Sequence, residues 1–157
     1  MKSKLYLFEH KVPGWVETAR DEYVVKLRGF APFEICPLKT PSQERESADV
    51  KRRKEADVLL QQMDLKDLVV LFDEGGKTFT SSENFADQLR RLLESGKQQL
   101  VFCIGGPYGF DPRVKARSQA QWSLSGLTFN HWLAQLVALE QIYRGWTILK
   151  GLPYHNR

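Results

Sequence analysis

QQLVFCIGGPYGF, residues 98–110, is the stretch from which the rest of the chain can be read. Leu100–Ile104 has the length and apolar character of a buried strand, and it breaks off into Gly105-Gly106-Pro107-Tyr108-Gly109. Three glycines in five positions after a strand mean that backbone must come close to something. Outward from this point, strand-like and helix-like segments alternate. KLYLF (4–8) reads as a first strand, and Pro13-Gly14 leads into a helix near 15–28. PFEICPL (32–38) is a second strand, which Pro37 marks as an edge or an early end because proline cannot donate to a central ladder. SQERESADVKRRKEADVLLQQM (42–63) reads as a charged helix and DLVVLFD (67–73) as a third strand. Thr80 with Glu83 makes a capping box for a helix over 81–95, which Gly96 stops. Downstream of the glycines, Asp111 and Pro112 form an N-cap and first-turn pair. WSLSGLTF (122–129) is a short strand or extended loop ahead of a long helix, 131–149.

This order predicts an α/β fold, a mainly parallel sheet flanked by helices, in one domain spanning 1–157. Ligands of such sheets gather at the carboxyl ends of the strands. Three loops there stand out as a candidate site: DEGGK (73–77), GGPYGF (105–110) and SLSGLTF (123–129).

Composition narrows the class. With 42% hydrophobic and 27% charged residues, the 157-residue chain is an ordinary globular one with a real core. No apolar run approaches the roughly 20 residues needed to cross a bilayer. The opening MKSKLYLFEH lacks the apolar length and cleavage site of a secretion signal. A cytoplasmic protein without membrane contact is therefore expected. Cys36 and Cys103 lie in strand-like runs and read as reduced, packed thiols. No cysteine or histidine stands at ligand spacing from either, and His10, His131 and His155 are scattered, so no metal is expected. The net charge of +4 is uneven: residues 97–157 carry seven Lys and Arg against two Asp and Glu. An anionic partner fits that asymmetry.

The long helix carries a second message. Trp132, Leu133, Leu136, Val137, Leu139, Ile142, Tyr143, Trp146 and Leu149 occupy most of its circumference, whereas a helix on the surface of a monomer needs one apolar stripe. Either a symmetric homodimer covers the extra face or the helix lies centrally in one core. The glycine loop excludes two nucleotide motifs. It lacks the Lys and hydroxyl residue of a phosphate-cradling P-loop, and its GGxxG spacing is not the GxGxxG of a dinucleotide fold. Pro107 removes an amide donor and stiffens the turn, which suits a preformed slot for a ligand with a heteroaromatic end and a polar end.

IGGPYG (104–109), WSLSGLT (122–128), EQIYRGW (140–146) and the closing PYHNR (153–157), in that order, closely resemble the ribosomal RNA large subunit methyltransferase H family of the SPOUT superfamily. These are small pseudouridine-N3 methyltransferases. The resemblance runs the length of the chain and implies a parallel sheet with a SPOUT-type C-terminal trefoil knot, a topology that general rules would argue against. It also implies a homodimer. S-adenosylmethionine would bind at Phe72, Gly105, Leu124, Ser125, Gly126, Leu127, Thr128 and Phe129, in the three loops singled out above, with S-adenosylhomocysteine as product and no metal. The implied substrate is N3 of a pseudouridine in helix 69 of 23S ribosomal RNA, within assembled ribosomes, with no DNA partner.

In-line methyl transfer to that nitrogen requires loss of its proton. His155 is the candidate acceptor, being the group in the closing motif that titrates near neutrality. Tyr154 would stack on or orient the base, and Arg144 would hold phosphate or the tail; Glu140 could pair with Arg144 across one helical turn. Arg113, Lys115 and Arg117 are either backbone contacts for RNA or a solvated helix face, and KRRK (51–54) reads as a solvated face. Two positions depart from the family pattern: Gln135, where an Arg is usual, which removes one expected RNA or subunit contact, and Gly145, where an Ala is usual, which weakens helix propensity by up to about 1 kcal/mol. The rival from another class is a non-catalytic module that binds RNA or an adenine nucleotide.

Overall fold

The computed structural model describes residues 1–41 and 44–156. Strands β1 (Lys2–Phe8), β2 (Phe33–Leu38), β3 (Leu68–Lys77), β4 (Gln99–Ile104) and β5 (Ala120–Trp122) form one sheet in the order β2-β1-β4-β3-β5, every neighbouring pair parallel. The expected α/β class is thus observed. β4, the strand of the opening stretch, lies between β1 and β3, and Leu100 to Ile104 are all buried. Strands covered on both faces read as continuous apolar runs, which is why this one has no polar alternation. β2 is an edge strand, as Pro37 required.

Helices α1 (Gly14–Arg28), α3 (Ser82–Leu93) and α5 (His131–Leu149) cover one face; α2 (Ala48–Gln62) and the short α4 (Pro112–Arg117) cover the other. Alternate strand residues divide accordingly. Leu5, Leu7, Val70, Phe72, Leu100, Phe102 and Ile104 meet Leu27, Phe85, Leu89, Leu139 and Ile142. Tyr6, Val69, Leu71, Val101 and Cys103 meet Ala56, Leu59 and Val114. Cys103 is buried and Cys36 half-buried, both as free thiols.

Four local expectations change. The α3 N-cap is Ser81, whose hydroxyl accepts from Asn84 N at 3.0 Å; Thr80 stands one residue too early, and Glu83 turns to His155 instead of back to the cap. α2 begins only at Ala48, capped by Ser47, so 44–47 are not helical; residues 42 and 43 lie outside the described residues. DEGGK is not a free loop. β3 runs on through it, with an irregularity between Phe72 and Lys77, and Lys77 O accepts from Ser123 N at 2.8 Å. The reason is Gly76: a Cβ there would sit 2.6 Å from the Gln121 carbonyl, so only glycine lets β5 come this close. Finally, β5 occupies 120–122 and leaves 123–130 as the loop before α5.

α5 packs against both α1 and α3. Part of its surplus apolar surface is covered within the chain: Trp146 stacks on Phe30, and Tyr143 contacts Tyr23 and Tyr154. Leu133 keeps 43% of its surface exposed. Gly145 faces α3, where an added Cβ would lie 3.0 Å from Leu89 Cδ2. An alanine there would need the Leu89 side chain to give way slightly, so the glycine lets α5 pass close to α3.

Candidate functional site

The loops after β4 and β5, with the bulged part of β3, enclose a cleft of about 680 Å3 at the carboxyl edge of the sheet. Phe72, Gly105, Thr128 and Phe129 line it, with Asp73, Glu74 and His131. An adjoining recess shares Phe72 and Phe129 and adds Leu124, Ser125 and Leu127. Gly126 lies in the same 123–130 loop without lining either part. Residues from three separate segments thus meet at one cavity of the size that small-molecule sites have.

The question raised by the glycines has an answer inside the chain. Gly106 N donates to Glu55 Oε1 at 3.2 Å, and a Cβ on Gly106 would fall within 2.4 Å of that carboxylate. Gly105 backs onto the Phe110 ring, and Gly109 has φ +76, a left-handed turn that costs glycine little. The loop is also held from outside: Arg52 donates to Tyr108 O at 3.2 Å, and Lys51 lies over the Tyr108 ring. KRRK is therefore not a purely solvated face. Arg52 lines the cleft, and Arg53 O accepts from Arg113.

Burial raises the Glu55 carboxyl, and the Gly106 amide works against that rise. A raised acid binds its proton more tightly folded than unfolded, so Glu55 favours the fold below its ordinary value and costs stability as pH rises through the raised one. Glu55→Gln, which keeps an acceptor for Gly106, is expected to gain stability relative to wild type as pH rises from about 4 to about 7. Glu55→Ala orphans the amide and should lose about 1–3 kcal/mol. Chemical denaturation at the two pH values checks both.

Arg144, Tyr154 and His155 form a separate cluster around Glu140. Arg144 bonds Glu140 Oε1 at 2.6 Å, as the one-turn spacing implied, and Tyr154 OH donates to the same oxygen at 3.1 Å. The Arg144 guanidinium lies 4.7 Å from the Tyr154 ring centre. Burial, and then the bond to Glu140, pushes the Tyr154 hydroxyl up; Glu140 also raises Arg144. Arginine can only donate, so His155 Nδ1 accepts from it at 3.2 Å, and Nε2–H faces Glu83 Oε1 at 3.1 Å. None of the three lines the cleft; His155 opens instead on a recess with Ser81, Ser82 and Glu83.

The basic residues after the glycine loop are largely engaged. Arg113 bonds Asp57 and Asp111, Arg117 bonds the carbonyls of Asp64 and Asp67, and Lys115 faces Asp73 at 3.6 Å while lining the cleft. Gln135, at the position where the family's usual Arg implied an RNA or subunit contact, is fully buried and bonds Arg20 and His131. The sequence reading did not single out Glu55 or His131 for the site. Glu55 lay in an unremarkable charged run, whereas the position of His131 directly after SLSGLTF was a usable signal.

A parallel sheet with its cleft formed by the glycine turn and the 123–130 loop defines a class that the comparisons identify. A family model described as "Predicted SPOUT methyltransferase" matches residues 1–155, and the chain belongs to that family of methyltransferases. Among curated relatives, "Ribosomal RNA large subunit methyltransferase H" of Bdellovibrio bacteriovorus is 38% identical over 156 residues, 99% of each chain. The protein of the same name from Hahella chejuensis is 37% identical over 158 residues, again 99% of each. That from Christiangramia forsetii is 43% identical over 126 residues, 80% of this chain and 78% of its own. Among the described residues no helix is long and apolar enough to cross a membrane, and no cluster of metal-ligating side chains occurs.

Proposed function

We propose that this methyltransferase transfers the methyl group of S-adenosylmethionine to N3 of a pseudouridine in helix 69 of 23S ribosomal RNA, in assembled ribosomes in the cytoplasm. The observation that carries the reading is the cleft itself, which brings Phe72, Gly105, Leu124, Ser125, Leu127, Thr128 and Phe129 together from segments far apart in the chain. Its main-chain turns and apolar walls fit a flat adenine, and the polar end beside Asp73, Glu74 and Lys115 fits a zwitterionic amino acid. When bound, the donor supplies an activated methyl; the chain's residues hold it, exclude water and orient the acceptor. The rRNA named by the relatives supports the substrate.

Arg144, Tyr154 and His155 form the acceptor side of this reading. Tyr154 offers a ring to the base and Arg144 a cation to its phosphate, and once Arg144 turns to that phosphate His155 accepts the proton on Nδ1, while Glu83 faces the proton kept on Nε2 and steadies the imidazolium. Because the cluster stands apart from the cleft of its own chain, a homodimer in which the tail of one subunit faces the acceptor side of the other's cleft, without touching the donor, completes the site. The exposed Leu133 and Trp15 support such an interface, and the C-terminal trefoil knot belongs to the same reading. Incubation with radiolabelled S-adenosylmethionine and ribosomes from a strain lacking the modification should place one methyl on the pseudouridine. Donor binding without transfer to any ribosomal RNA would favour a non-catalytic module.

A further inference from the structure

Beside the cleft, four side chains, from α1, α5 and the residue after β1, form a chain of hydrogen bonds donated outward from Arg20. Arg20 of α1 donates to Glu9 Oε2 at 2.6 Å and to Gln135 Oε1 at 3.1 Å. Both charged groups are buried, and Gln135 is wholly so. Since arginine has no acceptor, the Gln135 oxygen must face it, and the Gln135 amide nitrogen must face His131 Nε2, at 3.0 Å. That nitrogen can only donate, so His131 Nε2 accepts. The proton of the neutral ring is left on Nδ1. His131 in turn lines the cleft, directly after the loop that carries Thr128 and Phe129.

We propose that Arg20 and Gln135 are positioning residues for the donor cleft, holding His131 as a neutral imidazole with its proton on Nδ1, so that the wall it forms never opposes a cationic ligand. With Nε2 accepting from Gln135 and the proton on Nδ1, the ring offers the cleft no basic lone pair; it is a flat, uncharged surface. Burial favours the neutral form, against a smaller opposing effect of the Phe8 carbonyl and Glu9. The charged groups facing the ring are Glu9 from the end of β1 and Arg20 from α1, and Arg52, Asp73, Glu74 and Lys115 share the cleft with it. The inference rests on the cleft being the S-adenosylmethionine site. There it acquires a purpose, because the donor's sulfonium is positive and the demethylated product is not. An imidazolium in the wall would weaken the donor selectively.

Nitrogen-15 NMR of histidine-labelled protein without ligand tests the chain independently of the donor. In wild type His131 should show the Nδ1–H form and stay neutral through about pH 6.5, where an exposed histidine is half protonated. Gln135→Glu keeps an acceptor for Arg20 but turns an acceptor toward His131 Nε2, and should move the proton to that nitrogen or charge the ring. Gln135→Met removes the donor to Nε2. Calorimetry should then show S-adenosylmethionine binding at least threefold weaker at about pH 5.5 than at about pH 7.5, with S-adenosylhomocysteine unaffected and wild type flat for both. A wild-type ring protonated on Nε2, a proton that stays on Nδ1 in Gln135→Glu, or a Gln135→Met variant as flat as wild type overturns the proposal. Absence of heat with either ligand in wild type would count against the cleft's assignment, while the NMR result would still stand.

Discussion

Gly76→Ala is expected to be the most damaging single substitution outside the buried core. The added Cβ would fall 2.6 Å from Gln121 C and O and 2.7 Å from Trp122 N, all main-chain atoms that cannot rotate away. Relief requires β5 to separate from β3, breaking the pairing of Lys77 with Trp122 and the bond from Ser123 N to Lys77 O. Trp122 would move with them, and it packs edge-on against Phe79 and Phe85 in the core beneath α3 and α5. Overpacking of this kind costs typically 1–3 kcal/mol, and its backbone character places Gly76→Ala at about 3 kcal/mol or more. Thermal unfolding should show the loss. Because the 123–130 loop starts from Trp122, affinity for S-adenosylmethionine should fall in whatever fraction remains folded. Gly14→Ala, at the start of α1 and outside the cleft, meets nothing within 4 Å and serves as the control.

The second large effect separates binding from chemistry. Arg144→Ala removes the guanidinium that joins Glu140 to His155 and lies on Tyr154, and His155→Ala removes the proposed proton acceptor. Neither residue lines the donor cleft, so calorimetry should find S-adenosylmethionine affinity within about twofold of wild type. Single-turnover methylation of ribosomes should fall by roughly 10²–10⁴-fold, the usual contribution of a positioned acid or base. An unchanged rate in His155→Ala removes it from the mechanism, and a parallel loss of donor affinity would place the cluster in the donor site. Arg144→Lys keeps the charge but not the two-sided bonding, and should recover only a small part of the rate.

Much of the architecture was legible from local patterns. The unbroken apolar run at Leu100–Ile104 signalled a strand covered on both faces, Pro37 an edge, and Asp111-Pro112 a helix start, and each stands where local chemistry placed it. Such signals succeed because side-chain periodicity and capping are satisfied within a few residues. The capping box at Thr80 failed for a matching reason: Ser81 offered the same chemistry one residue later, and in the register the helix took, Glu83 meets a histidine 72 residues away. DEGGK read as a loop from its composition, yet it is strand, since pairing with Lys77 and the close approach of β5 outweigh the weak intrinsic preference of glycine.

The residue types of the site were present in the linear chain, as were the motifs that place it in its family and the strand-to-glycine break that forms one wall of the cleft. Their roles toward one another were not. That Glu55 holds Gly106, that Gln135 is an interior link between Arg20 and His131 rather than a surface contact, and that His155 stands apart from Phe72 and Leu124 all follow from contacts between segments 51, 115 and 72 residues apart, or from a separation between cavities. Such contacts are set by which helix covers which face of the sheet. That choice minimises exposed apolar area over the whole molecule, and no short stretch of residues carries it.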